Sequence, residues 1–246
     1  MSNATLRVLV ACEFSGMVRR AFDRLGHDAW SCDLRPAEDR SNKHIVGDAR
    51  EVATWGWDLM IIAHPPCTRL CNSGVRWLSE PPTKLNPAHH TAQECADYQG
   101  MIREERLAFM WRALDDGAAL FSDLWNAPVP KIAVENPVMH QHAKARIVGY
   151  QDFAQSVQPW QYGDWETKRT CLWLKGLDPL VPTYATLDEA RAGLGKGPKA
   201  KPTDRVHKMG PGADRDKERS RFFEGIANAM ASQWGGAVAG AIDLAA

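Results

Sequence analysis

The chain has 246 residues, 44% hydrophobic and 24% charged, which suits one large α/β core with at most a small appendage. Its 30 Lys and Arg balance 30 Asp and Glu, so a globally basic nucleic-acid binder is excluded and any polyanion contact must come from a local patch. No apolar run approaches the ~20 residues that span a bilayer, and no signal-peptide pattern opens the sequence. Six cysteines form no CxxC pair, so reduced thiols and a cytoplasmic setting are expected; compactness and the lack of a targeting pattern extend that expectation to a bacterial cell or a phage-infected host.

Leu6 to Cys12 reads as a first strand, and Met17 to Leu25 follows with helical spacing before Gly26. His27 to Cys32 is a second short strand ending at Asp33; Ile45-Val46 leads into Gly47-Asp48 as a third. Leu59 to Ala63 is apolar throughout, which suits a strand buried on both faces. It runs into Pro65-Pro66 and then Cys67, and the prolines fix φ and end the ladder. The thiol is thereby presented stiffly beyond a strand end. This βαβ rhythm predicts a mostly parallel sheet with helices on its faces.

From Arg69 to about Gln99 the pattern is that of a long loop, with room for a short helix. Glu104 to Trp125 is a helix, with Leu107, Met110, Trp111, Leu114, Ala118 and Phe121 on one stripe. Lys131 to Val134 is another buried strand, ending in Glu135-Asn136-Pro137. Phe153 to Gln158 and Thr170 to Leu174 read as antiparallel strands around Gly163. Residues 177–220 are rich in Pro, Gly and Lys, with one short helix at Leu187 to Ala192. Lys196 to Arg221 carries nine Lys or Arg against four Asp or Glu, a local net of +5. A helix from Ser220 to about Gln233 closes the pattern. The expected organisation is a core over 1–176, a small basic insertion over 177–218, and a C-terminal helix in 219–246 that packs back on the core.

Three strand ends carry acids: Glu13, Asp33 and Asp48. In nucleotide-binding α/β sheets, a carboxylate after the second strand accepts hydrogen bonds from ribose hydroxyls. Glu13-Phe14-Ser15-Gly16 adds a small-residue turn opening a helix, where a cofactor can approach backbone N–H groups. Each acid alone also reads as a turn or cap residue. Cys67 and Glu135 follow two further strands, so both should line one crevice. A thiolate and a carboxyl in one cleft make a nucleophile and a general acid.

In order, Phe14-Ser15-Gly16, Asp33, Asp48, Pro66-Cys67, Glu135-Asn136-Pro137, Thr167-Lys168-Arg169-Thr170 and Gly225 to Ala229 resemble the motifs of the SAM-dependent DNA (cytosine-5)-methyltransferases. The resemblance covers most of residues 6–175 plus 219–235. It implies a Rossmann-like α/β methyltransferase fold: a mostly parallel seven-stranded sheet with helices on both faces. It implies S-adenosyl-L-methionine as cofactor, bordered by Glu13, Phe14, Ser15, Gly16, Asp33, Asp48, Pro65 and Asn228. It implies duplex DNA with a flipped cytosine as partner. Cys67 would attack carbon 6 of the ring, and Glu135 would bind N3 and the exocyclic amine. Glu135 must then be at least partly protonated, which burial favours. Asn136 would orient the Cys67 loop, and Lys168 or Arg169 would contact the base.

The chain departs from the pattern. Pro137 replaces valine, Thr68 replaces glutamine, and Lys168-Arg169 replace a glutamine and two spaced arginines. In place of a target-recognition domain stands the short basic stretch, able to offer phosphate contacts through Lys196, Lys199, Lys201, Arg205, Lys208, Arg215 and Arg219. RNA or a nucleotide as substrate, and a decayed DNA-binding scaffold, are the competing readings. His64 reads better as a strand cap than as a partner of the thiolate. Cys67-x3-Cys71 would serve as a redox pair only in a helical or loop geometry that the sequence does not give. His89-His90 and His140-x-His142 lack further ligands at metal spacing, so no metal is expected. Trp160, Trp165 and Trp173 are read as core, with stacking on a base as the other option.

Overall fold

The computed structural model describes residues 4–65, 67–87, 90–208 and 221–238. Seven strands form one sheet: β1 (Arg7–Ala11), β2 (Asp28–Asp33), β3 (His44–Val46), β4 (Leu59–Ile62), β5 (Lys131–Asn136), β6 (Gln155–Val157) and β7 (Thr170–Lys175). Their order is β3-β2-β1-β4-β5-β7-β6. The first five pair in parallel, while β7 runs antiparallel to both β5 and β6. Six strands therefore point one way and β7 alone points back. The mostly parallel α/β sheet expected from the sequence is present.

Helices cover both faces: α1 (Met17–Arg24), α2 (Ala49–Val52), α3 (Ala92–Gly100), α4 (Arg103–Trp125), α5 (Gln141–Lys144), α6 (Leu187–Gly193), α7 (Arg205–Lys208) and α8 (Glu224–Met230). Alternation along the central strands divides the core between them. Leu9, Met60, Ile62, Ile132 and Val134 pack with Met110, Leu114, Ala118 and Phe121 of α4. Val8, Val10, Leu59, Ile61 and Ala133 pack on the other face with Val18 and Phe22 of α1 and Ile226, Ala227 and Met230 of α8. Each fully buried Leu or Ile contributes roughly 1.5–3 kcal/mol. No helix among the described residues is long and apolar enough to cross a membrane.

The stretch read as a long loop holds more order than expected. It contains a 3-10 turn, Val75–Leu78, and α3, whose start is a capping box. Thr91 Oγ1 accepts the Glu94 N–H at 3.1 Å while the Glu94 carboxylate takes the Thr91 N–H at 2.7 Å. α2 and α5 were hidden because each is a single turn set by one capping side chain, Asp48 or His140. The closing helix continues past Met230 as a π-turn, Ala231–Gly235. Ser220 lies outside the described residues.

The basic insertion is tied to the core. Gln155 and Leu180 exchange two hydrogen bonds of 2.6 and 2.8 Å, and Leu180 is buried. Thr203 pairs beside Glu166: it accepts the Thr167 N–H at 2.8 Å and donates to Trp165 O at 3.0 Å.

Candidate active site at the carboxyl edge of the sheet

Because β1 to β5 are parallel, their carboxyl ends share one edge, and this edge collects Glu13, Asp33, Asp48, Cys67 and Glu135. The chain after Cys67 is a tight turn, with the N–H groups of Leu70 and Cys71 both donating to Cys67 O at 2.9 and 3.0 Å. Gly74 closes it: a Cβ there would stand 1.9 Å from the Thr68 carbonyl oxygen, so only glycine fits. Three contacts then stitch the turn to the exit of β5. Cys71 bridges Met139, the His140 N–H donates to Leu70 O at 3.0 Å, and His140 Nε2 reaches Arg69 O at 2.7 Å. His140 Nδ1 accepts the Ala143 N–H at 3.2 Å, which assigns the ring proton to Nε2.

Asn136 keeps to its own turn: its Nδ2 donates to Pro137 O at 2.8 Å, and its buried Oδ1 has no partner among the described residues. The orienting contacts to the Cys67 loop come from His140 instead.

Glu135 is buried and accepts a hydrogen bond from Thr170 Oγ1, which lies diagonally across the β5–β7 pair, two residues from its direct partner Leu172. Burial pushes its carboxyl above the usual range, against the smaller opposing pull of Lys168 and Thr170. A protonated Glu135 can donate as well as accept. Glu135, Lys168, Thr170, Phe222, Phe223 and Ile226 line one narrow cavity. The Lys168 ammonium stands 5.9 Å from the Phe223 ring centre. Arg169 is exposed, and its Nε donates to Ser156 Oγ at 2.9 Å. Of the two basic candidates, Lys168 faces the site and Arg169 is turned away.

The Cys71 sulfur, then burial and the Glu135 carboxyl, hold the Cys67 thiol well above its ordinary range, while Lys168 opposes them. Cys71 goes the other way, pushed down to about 5 by the Cys67 thiol, the Ser73 hydroxyl and the N–H groups of Ser73 and Gly74. The Ser73 hydroxyl lies 3.0 Å from the Cys71 sulfur. The two thiols act as a pair whose retained proton rests on Cys67.

His64, three residues before Cys67, stands at the same place. Its ring centre is 5.5 Å from that of Phe222, and its buried Nε2 has no hydrogen-bond partner among the described residues. Burial, reinforced by Lys168, holds it well below the usual imidazole range, so the ring is neutral.

The cofactor edge predicted from the sequence divides in two. Asp33 keeps its carboxylate at the end of β2, with Oδ1 taking the Arg35 N–H at 2.9 Å. Burial raises it, as burial beside Asp33 raises Cys12, which follows β1 in the left-handed region at φ 56°. The residues of the α1 turn, by contrast, are engaged by the chain itself. Glu13 is buried and accepts from the Val18 N–H at 2.8 Å, the Arg19 N–H at 3.3 Å and Ser15 Oγ at 3.0 Å. Gly16, at φ +68°, lies under Asp39, whose carboxylate pairs with Arg19 and Arg20. Arg35 covers Phe14, its guanidinium 4.9 Å from the ring centre.

Two of the expected cofactor residues are engaged by side chains of the chain itself. Asp48 is the N-cap of α2, and its carboxylate is held low by Arg50. Asn228 is exposed and accepts from Arg24 at 2.6 Å, at the far end of α1. Since α1 runs back from the carboxyl edge, that contact lies towards the opposite edge. Pro65 is buried beside His64.

Among the basic candidates, Lys196, Lys199 and Lys201 are exposed and form no ion pair among the described residues. Arg205 pairs with Glu166 at 3.1 Å and Lys208 with Asp204 at 2.9 Å. Arg215 and Arg219 lie outside the described residues. Thr170, His140 and Phe222 are the site residues the sequence reading left without a role. Thr170 sat within the basic motif, whereas Phe222 carries no local signal.

Neither a protein-family model nor a curated protein sequence matches this chain. Among solved structures it is similar to a protein described as a candidate DNA modification methyltransferase encoded within a prophage (E. coli), with 15% identity and a TM-score of 0.39 over 76% of this chain. It is also similar to a methyltransferase of Entamoeba histolytica, with 11% identity and a TM-score of 0.41 over 72% of this chain. This chain spans 54% of the length of each.

Proposed function

We propose that this protein transfers a methyl group from S-adenosylmethionine to carbon 5 of cytosine in DNA. The observation that carries the reading is the meeting of Cys67, Glu135 and Lys168 at one strand edge, with the Glu135 carboxyl buried and biased towards its protonated form. Carbon 5 of cytosine is a weak nucleophile until a thiolate adds at carbon 6. Cys67, its proton passed to Cys71, makes that bond. Negative charge then develops on the ring, and Glu135 offsets it by donating to N3 while Thr170 holds its other oxygen. Lys168 adds a positive charge beside the same ring. A base inside a duplex cannot reach this edge, so the cytosine enters flipped out. The exposed Lys196, Lys199 and Lys201 lie on the stretch that Thr203 joins to Glu166 and Thr167, and they suit phosphate contacts.

When bound, S-adenosylmethionine supplies a methyl group on an electrophilic sulfonium. The residues present fit its nucleoside end, because Asp33 offers a carboxylate after β2. They leave fewer groups for its other end, since Glu13, Ser15 and Asp39 already take up the α1 turn. Glu13, Phe14, Ser15 and Gly16 therefore act by shaping that turn.

The test uses the parent and Cys67→Ala proteins with labelled S-adenosylmethionine and duplex DNA containing 5-fluorocytosine. A denaturation-resistant, labelled adduct with the parent alone is expected. Equal labelling by both proteins, or labelling of neither, overturns the reading. Single-stranded RNA in the same assay separates the competing substrate.

A further inference from the structure

Resting on the cytosine-5 reading, we infer that His64 is the base that removes the carbon 5 proton after methyl transfer. The elimination needs a neutral acceptor next to the ring but distinct from the nucleophile and from the group that binds N3. Cys67 is then covalently occupied and Glu135 engages the opposite ring edge, so neither is free.

His64 meets the requirement on three counts. Its Nε2 is buried without a partner among the described residues, which costs free energy unless something is bound there part of the time. Its ring packs on Phe222, which walls the same cavity as Glu135 and Lys168. The charge of Lys168, which lines that cavity, acts on His64, Cys67 and Glu135 alike. In the tautomer with its proton on Nδ1, Nε2 is an acceptor.

The step balances as follows. His64 Nε2 takes the proton from carbon 5, and the C–H electron pair becomes the carbon 5–carbon 6 double bond. The carbon 6–sulfur bond breaks, and its pair returns to Cys67 as the thiolate. The imidazolium, disfavoured beside Lys168, then releases its proton to water and is reset.

Two substrates separate this step from those before it. Duplex DNA with 5-fluorocytosine has no proton at carbon 5, so adduct formation on it does not call on His64. Duplex DNA tritiated at carbon 5 of cytosine reports the proton removal. With S-adenosylmethionine present, His64→Gln and His64→Ala should trap 5-fluorocytosine at about the parent rate. On ordinary cytosine, both should release tritium ~100-fold more slowly, while the methylated covalent adduct accumulates. Added imidazole should restore release in His64→Ala and leave the parent unchanged.

Tritium release at the parent rate by both variants overturns the inference. Failure of both to trap 5-fluorocytosine while the parent does so also overturns it, because His64 would then act earlier or only in the fold. Failure of the parent itself to trap would strike the cytosine-5 reading, a result separable from either outcome.

Discussion

Thr170 on β7 donates a hydrogen bond to the carboxyl of Glu135 on β5, and the reversed direction of β7 makes that contact possible. Thr170→Val keeps the shape but removes the hydroxyl from a buried carboxyl. The variant should lose about 1–3 kcal/mol of stability in urea unfolding, together with a larger loss in adduct formation than in DNA binding.

Glu135 also sets a pH signature. Burial raises its pKa in the folded protein, so the folded state holds the proton more tightly than the unfolded chain. Its contribution is fully present below the unfolded carboxyl pKa of about 4.3 and is lost as pH rises through the raised folded value. Glu135→Gln has no charge to bury. Thermal unfolding should show the variant gaining on the parent at pH 8, with the gap closing towards pH 4. A gap that widens towards acid would contradict the buried, proton-holding carboxyl.

The thiol pair predicts an asymmetry in alkylation. The Cys71 sulfur is the first cause holding the Cys67 thiol high. In Cys71→Ser that influence goes, so the pH midpoint for iodoacetamide labelling of Cys67 should move down towards the ordinary thiol range. Conversely, labelling at Cys71 in the parent should already proceed at mildly acidic pH, because its thiol is pushed down to about 5. Peptide mapping by mass spectrometry reads both.

Lys168 and Arg169 are neighbours with opposite surroundings. Lys168→Met should lower turnover by ~100-fold, on the scale of one lost electrostatic donor in a site. Arg169→Gln should stay within about 3-fold, as an exposed contact outside the site warrants. Steady-state methylation of duplex DNA distinguishes them, and equal losses would refute the assignment.

The three exposed lysines make a salt prediction. Replacing Lys196, Lys199 and Lys201 together by Gln should reduce the slope of log Kd against log salt by up to about 3 for duplex DNA, since each phosphate contact adds about 0.9. An unchanged slope would remove this stretch from the interface.

Much of the architecture was legible in the sequence because it depends on local pattern. The uninterrupted apolar run Leu59 to Ile62 is a central strand, Pro65 ends its direction, and Cys67 lands at the carboxyl edge. The stripe from Met110 to Phe121 is the buried face of α4. Glu135 was legible as a strand-end acid for the same reason. An acid or amide near a strand end, such as Asp48 or Asn228, has the same local signature whether it binds a ligand or caps a helix. Their neighbours, Arg50 at Asp48 and Arg24 at Asn228, come only from the folded chain.

The sequence by itself determined the order of the elements, the strand ends on which Cys67 and Glu135 sit, and the basic character of the stretch beyond β7. Those features follow from hydrophobic period, proline and charge, all of which act over a few residues. The tertiary structure decided which groups face one another. It put Lys168 in the cavity with Glu135 and Arg169 against Ser156, and brought Thr170 and Phe222 to Glu135 and His64. These are contacts between segments distant in sequence or turned by a loop, and their direction is set by packing and burial.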